Sequence, residues 1–351
     1  MDSVTRVTKA LSVEIPDRVP LGEFAISDAI IGRILNIEPA RITYGDRVRG
    51  FAKLGLDLVT LLDWGARPGK NRQMSEGSWV NEWNMIMKTD KPTDTDWWVG
   101  TRFNSVEDWE QFEMPPAVSD ERLETFKKAI NEGKGKIAVA GLVWGPQHYG
   151  HVLLGVDKLL TSLYTHPKLL KKMLSDVNKW WIEWGKALID LGVDAMWVGD
   201  DLGETKGLLM SPKHFREFEL PLIREQIDTF RKKHVPVIFH SDGNITQIIG
   251  DVVQAGINAL HPIQPNAMDL PGVKAAWGQK ICVMGNLDST LVLPGSRDKL
   301  IEETKKCIRT AAPGGGYIMA SGNSILANTP LENIQTWVET TKKYGTYPIR
   351  I

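Results

Sequence analysis

Short apolar runs recur along the chain, each closed by polar or glycine residues and separated from the next by a stretch of helical periodicity. Runs of this kind, bounded by turn residues, read as buried strands, and the intervening 3.6-residue pattern reads as helices. The runs are Val19–Ala25, Leu58–Leu62, Ile137–Val143, Asp194–Gly199, Val235–Phe239, Ala259–Ile263, Ile281–Gly285 and Tyr317–Ala320. Helices are expected at Thr5–Leu11, up to about Leu54, through Trp184, between the fourth and fifth runs, over Asp298–Ala311 and over Glu332–Glu339. Eight strands alternating with helices predict a single (β/α)8 TIM barrel spanning residues 1–351. A doubly wound open sheet is the alternative, but no Gly-x-Gly-x-x-Gly follows the first strand.

The alternation fails once, between residues 65 and 116. Polar and aromatic residues alternate there through Ser78–Met87, the period of a β-hairpin. The chain holds thirteen tryptophans, six of them between Trp64 and Trp109. This segment reads as an insertion after the second strand, folded over the barrel mouth as a lid. A peripheral hairpin with surface tryptophans is the other reading. Trp64, Trp144 and the Trp97–Trp98 pair are candidates for stacking on an aromatic ring. Trp180, Trp181 and Trp184 sit at helical spacing and read as packing residues.

A net charge of −1 leaves no electrostatic footprint for nucleic acid or an anionic membrane. No apolar run reaches the roughly 18–20 residues that span a bilayer, and the N-terminus lacks a signal-peptide core. The only cysteines, Cys282 and Cys307, cannot build a disulfide framework and fit a reducing cytoplasm. A cytoplasmic protein is expected, with its oligomeric state left open, a homodimer included.

Polar residues gather where the runs end, at the carboxyl ends where α/β folds place their chemistry. The first run ends near Glu23, the second at Asp63 and the third at Trp144. The fourth ends in Asp200, Asp201 and Glu204; the fifth in His240, Ser241 and Asp242. The segments Gly199-Asp-Asp-Leu, Ser211-Pro, Phe239-His-Ser-Asp-Gly243, His261-Pro-Ile-Gln-Pro265, Met284-Gly-Asn-Leu-Asp288 and Pro313-Gly-Gly-Gly-Tyr317 resemble the uroporphyrinogen decarboxylase superfamily. The likeness runs from about residue 15 to the C-terminus. It implies a (β/α)8 barrel with its site at the carboxyl mouth, in a superfamily that contains decarboxylases and corrinoid-dependent methyltransferases.

Three features separate these branches. Leu21–Asp28 has no arginine, where a binder of a polyanionic tetrapyrrole would want guanidinium forks. His240-x-Asp242 stands where the thiol-methylating members carry His-x-Cys, and their distant cysteine corresponds to Asn323 here. Glu204, Glu219 and His240 follow the spacing Glu-x14-Glu-x20-His, which resembles the zinc signature of methyltransferases that cleave aryl methyl ethers.

That resemblance implies Zn2+ held by Glu204, Glu219 and His240. Two carboxylates and an imidazole leave one tetrahedral position open, the catalytic arrangement, and oxygen-rich ligands suit a Lewis acid for an oxygen atom. Asp201, Asp242 or Asn244 would orient His240 or another ligand from behind. Asn286 and Asp288 end the seventh strand and, with Asn323, Trp64 and Trp144, are candidate substrate contacts; structural hydrogen bonding is an equal reading for Asn286 and Asp288. Glu204 and Glu219 could also be solvated helix charges, Asp200 and Asp201 could cap a turn, and His261 reads as barrel packing. The implied substrate is a small methoxylated aromatic compound. The implied methyl acceptor is the corrinoid of a separate protein docking over the mouth, since no Asp-x-His-x-x-Gly motif is present. Another methyl donor, such as methanol or a methylamine, and a decarboxylase are the rival readings.

Overall fold

The computed structural model describes residues 1–63, 71–74, 77–90 and 95–351. Eight parallel strands pair in chain order: β1 (Gly22–Glu23), β2 (Leu58–Leu61), β3 (Ala138–Trp144), β4 (Ala195–Gly199), β5 (Val237–His240), β6 (Ala259–His261), β7 (Cys282–Leu287) and β8 (Tyr317–Ser321). A parallel bridge between Leu21 and Met319 and a hydrogen bond from Met319 N to Pro20 O, 2.9 Å, join the last strand to the first. The result is the (β/α)8 TIM barrel expected from the alternation. Its strands are buried throughout apart from Asn286, because helices cover one face and the barrel interior fills the other. This is why they read as continuous apolar runs.

The first strand is shorter than its run. Pro20 has no N–H to give a ladder, so only its carbonyl joins the sheet. Helix ends follow ordinary capping chemistry. Thr43 and Asp46 close a reciprocal capping box before Tyr44–Leu54, and the long Pro167–Leu191 helix ends at Gly192 with φ +95°.

The amino-terminal foot of the barrel is organised by the buried Asp57 carboxylate. It accepts from Ser3 Oγ (3.0 Å), Arg6 Nη1 (2.7 Å), both Arg18 Nη atoms (2.7 and 2.9 Å) and Leu21 N (2.9 Å). The N-terminal helix, the approach to β1 and the start of β2 are thereby held at one point.

The segment after β2 forms an antiparallel sheet in sequence order, Arg72–Gln73, Ser78–Val80, Met85–Asp90 and Thr95–Thr101. The expected hairpin is its centre, with Val80 opposite Ile86. Its turn is made by Asn81, whose Oδ1 accepts from Trp83 N (2.9 Å) and Met85 N (3.1 Å). Trp83 is fully buried edge-to-face against Tyr149 (4.9 Å) and Trp180 (5.0 Å). Trp98 Nε1 donates to Val152 O at 2.9 Å. The insertion is thus fastened to the Pro146–Leu154 helix, which leaves the carboxyl end of β3, and to Pro167–Leu191. Trp180, Trp181 and Trp184 are buried, as their spacing predicts. Trp64 and part of the proposed lid lie outside the described residues. Among the described residues, no helix is long and apolar enough to cross a membrane.

Candidate metal centre

Strand register assembles the site. His240 at the end of β5 pairs with Gly199 at the end of β4 and with His261 at the end of β6. The residues that follow β4 and β5 therefore emerge side by side. His240 Nε2 lies 3.5 Å from Asp201 Oδ1 and 3.9 Å from Asp242 Oδ1. Among the described residues, Asp201, His240 and Asp242 are the group whose potential ligand atoms all fall within 4.8 Å of one another.

Each of the three is held from behind. The His240 ring is stacked on Phe24 at 4.2 Å, 5° from parallel, and its Nδ1 is 2.8 Å from His261 Nδ1. Asp201 Oδ2 is 3.1 Å from His148 Nδ1, and Asp201 Oδ1 accepts from Asp242 N at 3.2 Å. Asn323 Nδ2 donates to Asp242 Oδ2. His148 lies flat on Trp144, 3.8 Å between centroids, and Trp144 Nε1 donates to Asp63 O at 2.7 Å. Gly145 is required beside them, because a Cβ there would run into the Asp200 carboxyl.

The electrostatics are those of a site short of positive charge. Burial pushes the Asp242 carboxyl up to about 6, with His240 pulling it down and Asp201 pushing it further up. Burial raises Glu23 to about 8, although Ser321 N, Ser321 Oγ and Phe24 N all donate to it and His240 is near. Asp200 and Glu219 are both raised well above the usual range by burial, Asp200 also by Asp201 and Glu219 also by Asp200. For His240, burial alone would lower the pKa; the bond to Asp201 and the charges of Asp242, Asp201 and Glu23 raise it instead. Burial and the His240 charge hold His261 well below the ordinary value. No lysine or arginine forms an ion pair with any of these carboxylates among the described residues. A buried Asp242 Oδ1 without a hydrogen-bond partner, one imidazole nitrogen and a second carboxylate fit a divalent cation with nitrogen and oxygen ligands, zinc among them.

The geometry gives His240 different neighbours from those the sequence spacing implies. Glu204 is exposed on a two-strand turn, Gly203–Glu204 against Gly207–Leu208. Glu219 is fully buried at the end of a π-helical turn, Phe215–Glu219, and neither carboxylate oxygen has a hydrogen-bond partner among the described residues. Neither glutamate joins the His240 cluster. Asp201 and Asp242, expected to orient a ligand, are the carboxylates grouped with His240. Asn244 is engaged locally: its N donates to Glu204 O (2.8 Å) and its Oδ1 accepts from Thr246 N (3.1 Å).

Of the expected substrate contacts, Asn323 and Trp144 adjoin the cluster. Asn286 Nδ2 donates to Ile263 O at 2.9 Å, and Asp288 Oδ1 accepts from Thr290 N, Thr290 Oγ1 and Leu291 N. Asn286 thus ties β7 to the segment after β6, and Asp288 is engaged in its own loop. His148 escaped the sequence reading, since it lies one helical turn beyond β3 with no strand-end signal. His261 was read as packing, and only the β5–β6 register reveals its bond to His240.

Fold and site define a parallel (β/α)8 barrel with a histidine–carboxylate centre at its carboxyl mouth. Residues 83–344 match the family described as Uroporphyrinogen decarboxylase (URO-D), and the chain belongs to that family. It is 28% identical over 52% of its length to a uroporphyrinogen decarboxylase of Chlorobium luteolum, covering 51% of that protein. It is 26% identical over 64% of its length to the methylcobamide:CoM methyltransferase MtbA of Methanosarcina mazei, again covering 64% of the relative. The chain thus spans between about half and two thirds of the length of these curated relatives. Among solved structures, a methyltransferase from Methanosarcina mazei superposes with a TM-score of 0.76 at 20% identity, covering 98% of this chain and 99% of the other. That likeness concerns the fold.

Proposed function

We infer that the protein is a corrinoid-dependent methyltransferase that cleaves the methyl ether of methoxylated aromatic compounds. The methyl–oxygen bond breaks, its electron pair stays on the aryl oxygen, and the methyl group passes to cobalt(I) of a separate corrinoid protein. The observation that carries this reading is the donor set at His240, which contains carboxylate and imidazole but no sulfur. Cys282 opens β7 at the foot of the barrel, and Cys307 Sγ is 3.6 Å from Asn286 Oδ1. Hard oxygen donors suit an oxygen-bearing substrate better than a thiol. The similarity to methylcobamide:CoM methyltransferases supports a corrinoid as partner in the methyl transfer, while the absence of arginine in Leu21–Asp28 disfavours a polyanionic substrate.

Asp201, His240 and Asp242 would hold zinc, with Glu204 and Glu219 the set implied by spacing. When bound, the ion supplies Lewis-acid stabilisation of negative charge on the leaving oxygen, a contribution of several kcal/mol in order of magnitude. The chain's own residues do the rest. His148 and Asn323 fix the two carboxylates, Phe24 and His261 fix His240, and Trp144 backs His148 by stacking on it. The insertion beside the β3 end is the element suited to cover the mouth while the corrinoid partner is absent.

The test is anaerobic mixing of zinc-loaded protein with cobalt(I) cobalamin and a panel of methoxybenzenes, following the cobalt(I) absorption. Methylcobalamin should form, and should fail to form with the His240→Ala protein. Absence of transfer from every methoxylated ring, with zinc confirmed bound, would overturn the aryl-ether reading and direct the search to other methyl donors.

A further inference from the structure

The Nδ1 atoms of His240 and His261 face each other at 2.8 Å. Two N–H groups would repel at that distance, and two lone pairs would leave both nitrogens without a partner. One hydrogen therefore lies between the rings, and one ring donates it to the other. The other nitrogen of His240, Nε2, faces Asp201 Oδ1 and Asp242 Oδ1. It is the nitrogen that would turn a lone pair toward a metal ion in the centre described above. A neutral imidazole that ligates through Nε2 carries its hydrogen on Nδ1. The hydrogen between the rings then belongs to His240, and His261 is the acceptor.

His261 is built for that position. It is fully buried at the end of β6, paired in register with His240. Its ring stands edge-to-face on Trp197 at 4.9 Å, and its carbonyl accepts from Ser241 N at 3.0 Å. Its Nε2 has no hydrogen-bond partner among the described residues, so the bond to His240 is the ring's one polar contact there.

We propose that His261 is a positioning residue that fixes the tautomer and rotation of His240 for a divalent metal ion. Carboxylates, backbone carbonyls and waters usually back a ligating imidazole; a neutral histidine ring takes that place in this barrel. A carboxylate would make His240 a more basic ligand and so reduce the Lewis acidity of the ion. A neutral acceptor orients the ring and leaves that acidity intact.

This inference rests on the metal reading of the site, and its test separates the two. Zinc affinity is measured on the full chain by competition with a chromophoric chelator, for the wild type, His261→Leu and His261→Asn. The leucine removes the acceptor, and the asparagine offers its Oδ1 in its place. His261→Leu should bind zinc about 10–100-fold more weakly, and His261→Asn should recover most of the loss. Equal affinity of His261→Leu and the wild type would overturn the inference. A second measurement does not depend on either variant folding. In zinc-loaded wild type with ring-15N histidine, Nδ1 should be protonated on His240 and unprotonated on His261. The reverse pattern, with zinc bound, overturns the inference alone. Failure of the wild type to take up zinc overturns the metal reading and the inference with it.

Discussion

His240 Nε2 and Asp201 Oδ1 stand 3.5 Å apart at the mouth of the barrel, one at the end of β5 and the other just beyond β4. Asp201 and the charges of Asp242 and Glu23 favour a proton on His240 when no metal ion is bound. A divalent cation held there would compete with that proton for the same place.

The first prediction follows from that competition. The pKa of His240 is raised, and that of Asp242 is pushed up to about 6. Both must lose a proton before they ligate a metal, so zinc binding releases protons and its affinity rises with pH. The apparent affinity should climb from about pH 5, through the Asp242 range, and level off only above the raised pKa of His240. Chelator competition across this range measures it. An affinity independent of pH would mean that these two residues are not the ligands.

A second prediction separates the two candidate ligand sets. Asp201→Ala and Asp242→Ala should each weaken zinc binding by more than the roughly 10–100-fold typical of outer partners. Glu204→Gln, at an exposed position, should leave it nearly unchanged. Zinc content after dialysis against a weak chelator reads the difference. The opposite ranking would return the site to Glu204, Glu219 and His240.

The third prediction concerns Glu23 and the stability of the metal-free protein. Its folded pKa of about 8 stands above the ordinary 4.5, so the fold favours the protonated acid. Below about pH 4.5 both folded and unfolded chains hold the proton, and burial carries no ionisation cost. As pH rises toward 8 the unfolded chain ionises first, and stability falls by about 1.4 kcal/mol for each unit of displacement. Glu23→Gln should flatten this slope, apart from a constant offset for the altered bonds to Ser321 and Phe24. Urea unfolding at several pH values checks it; parallel curves for the two proteins would refute the assignment.

Trp83 supplies the fourth. It is the buried peg between the insertion, Tyr149 and Trp180. Trp83→Ala should cost about 3–5 kcal/mol locally and open the sheet while leaving the barrel folded. Hydrogen exchange should then quicken over 78–90 and 95–101 but not in β4–β6. Uniform acceleration everywhere would show that the insertion folds as one unit with the barrel.

The barrel was legible because strands buried on both faces leave unbroken apolar runs, as in Ile137–Val143 and Tyr317–Ala320. The hairpin was legible because Ser78–Met87 alternates with period two. The grouping of side chains around His240 was less so. Spacing along the chain ties Glu204 and Glu219 to His240, but it carries no information about strand register. The register sets Gly199 and His261 against His240, and so draws in Asp201 and Asp242. The exposure of Glu204 comes from a two-strand turn too short to leave a periodic signal. His148 is placed by the entry of the helix after β3, which Gly145 and Asp200 determine together.

The bonds to Asp57 bear on how such a protein can change. Three segments that must meet to close the ring are tied at its base, at the end of the barrel opposite the His240 cluster. Substitutions at the opposite rim therefore leave the closure undisturbed. Loop ends at the mouth can therefore vary while the joint beneath holds the first turns of the barrel together.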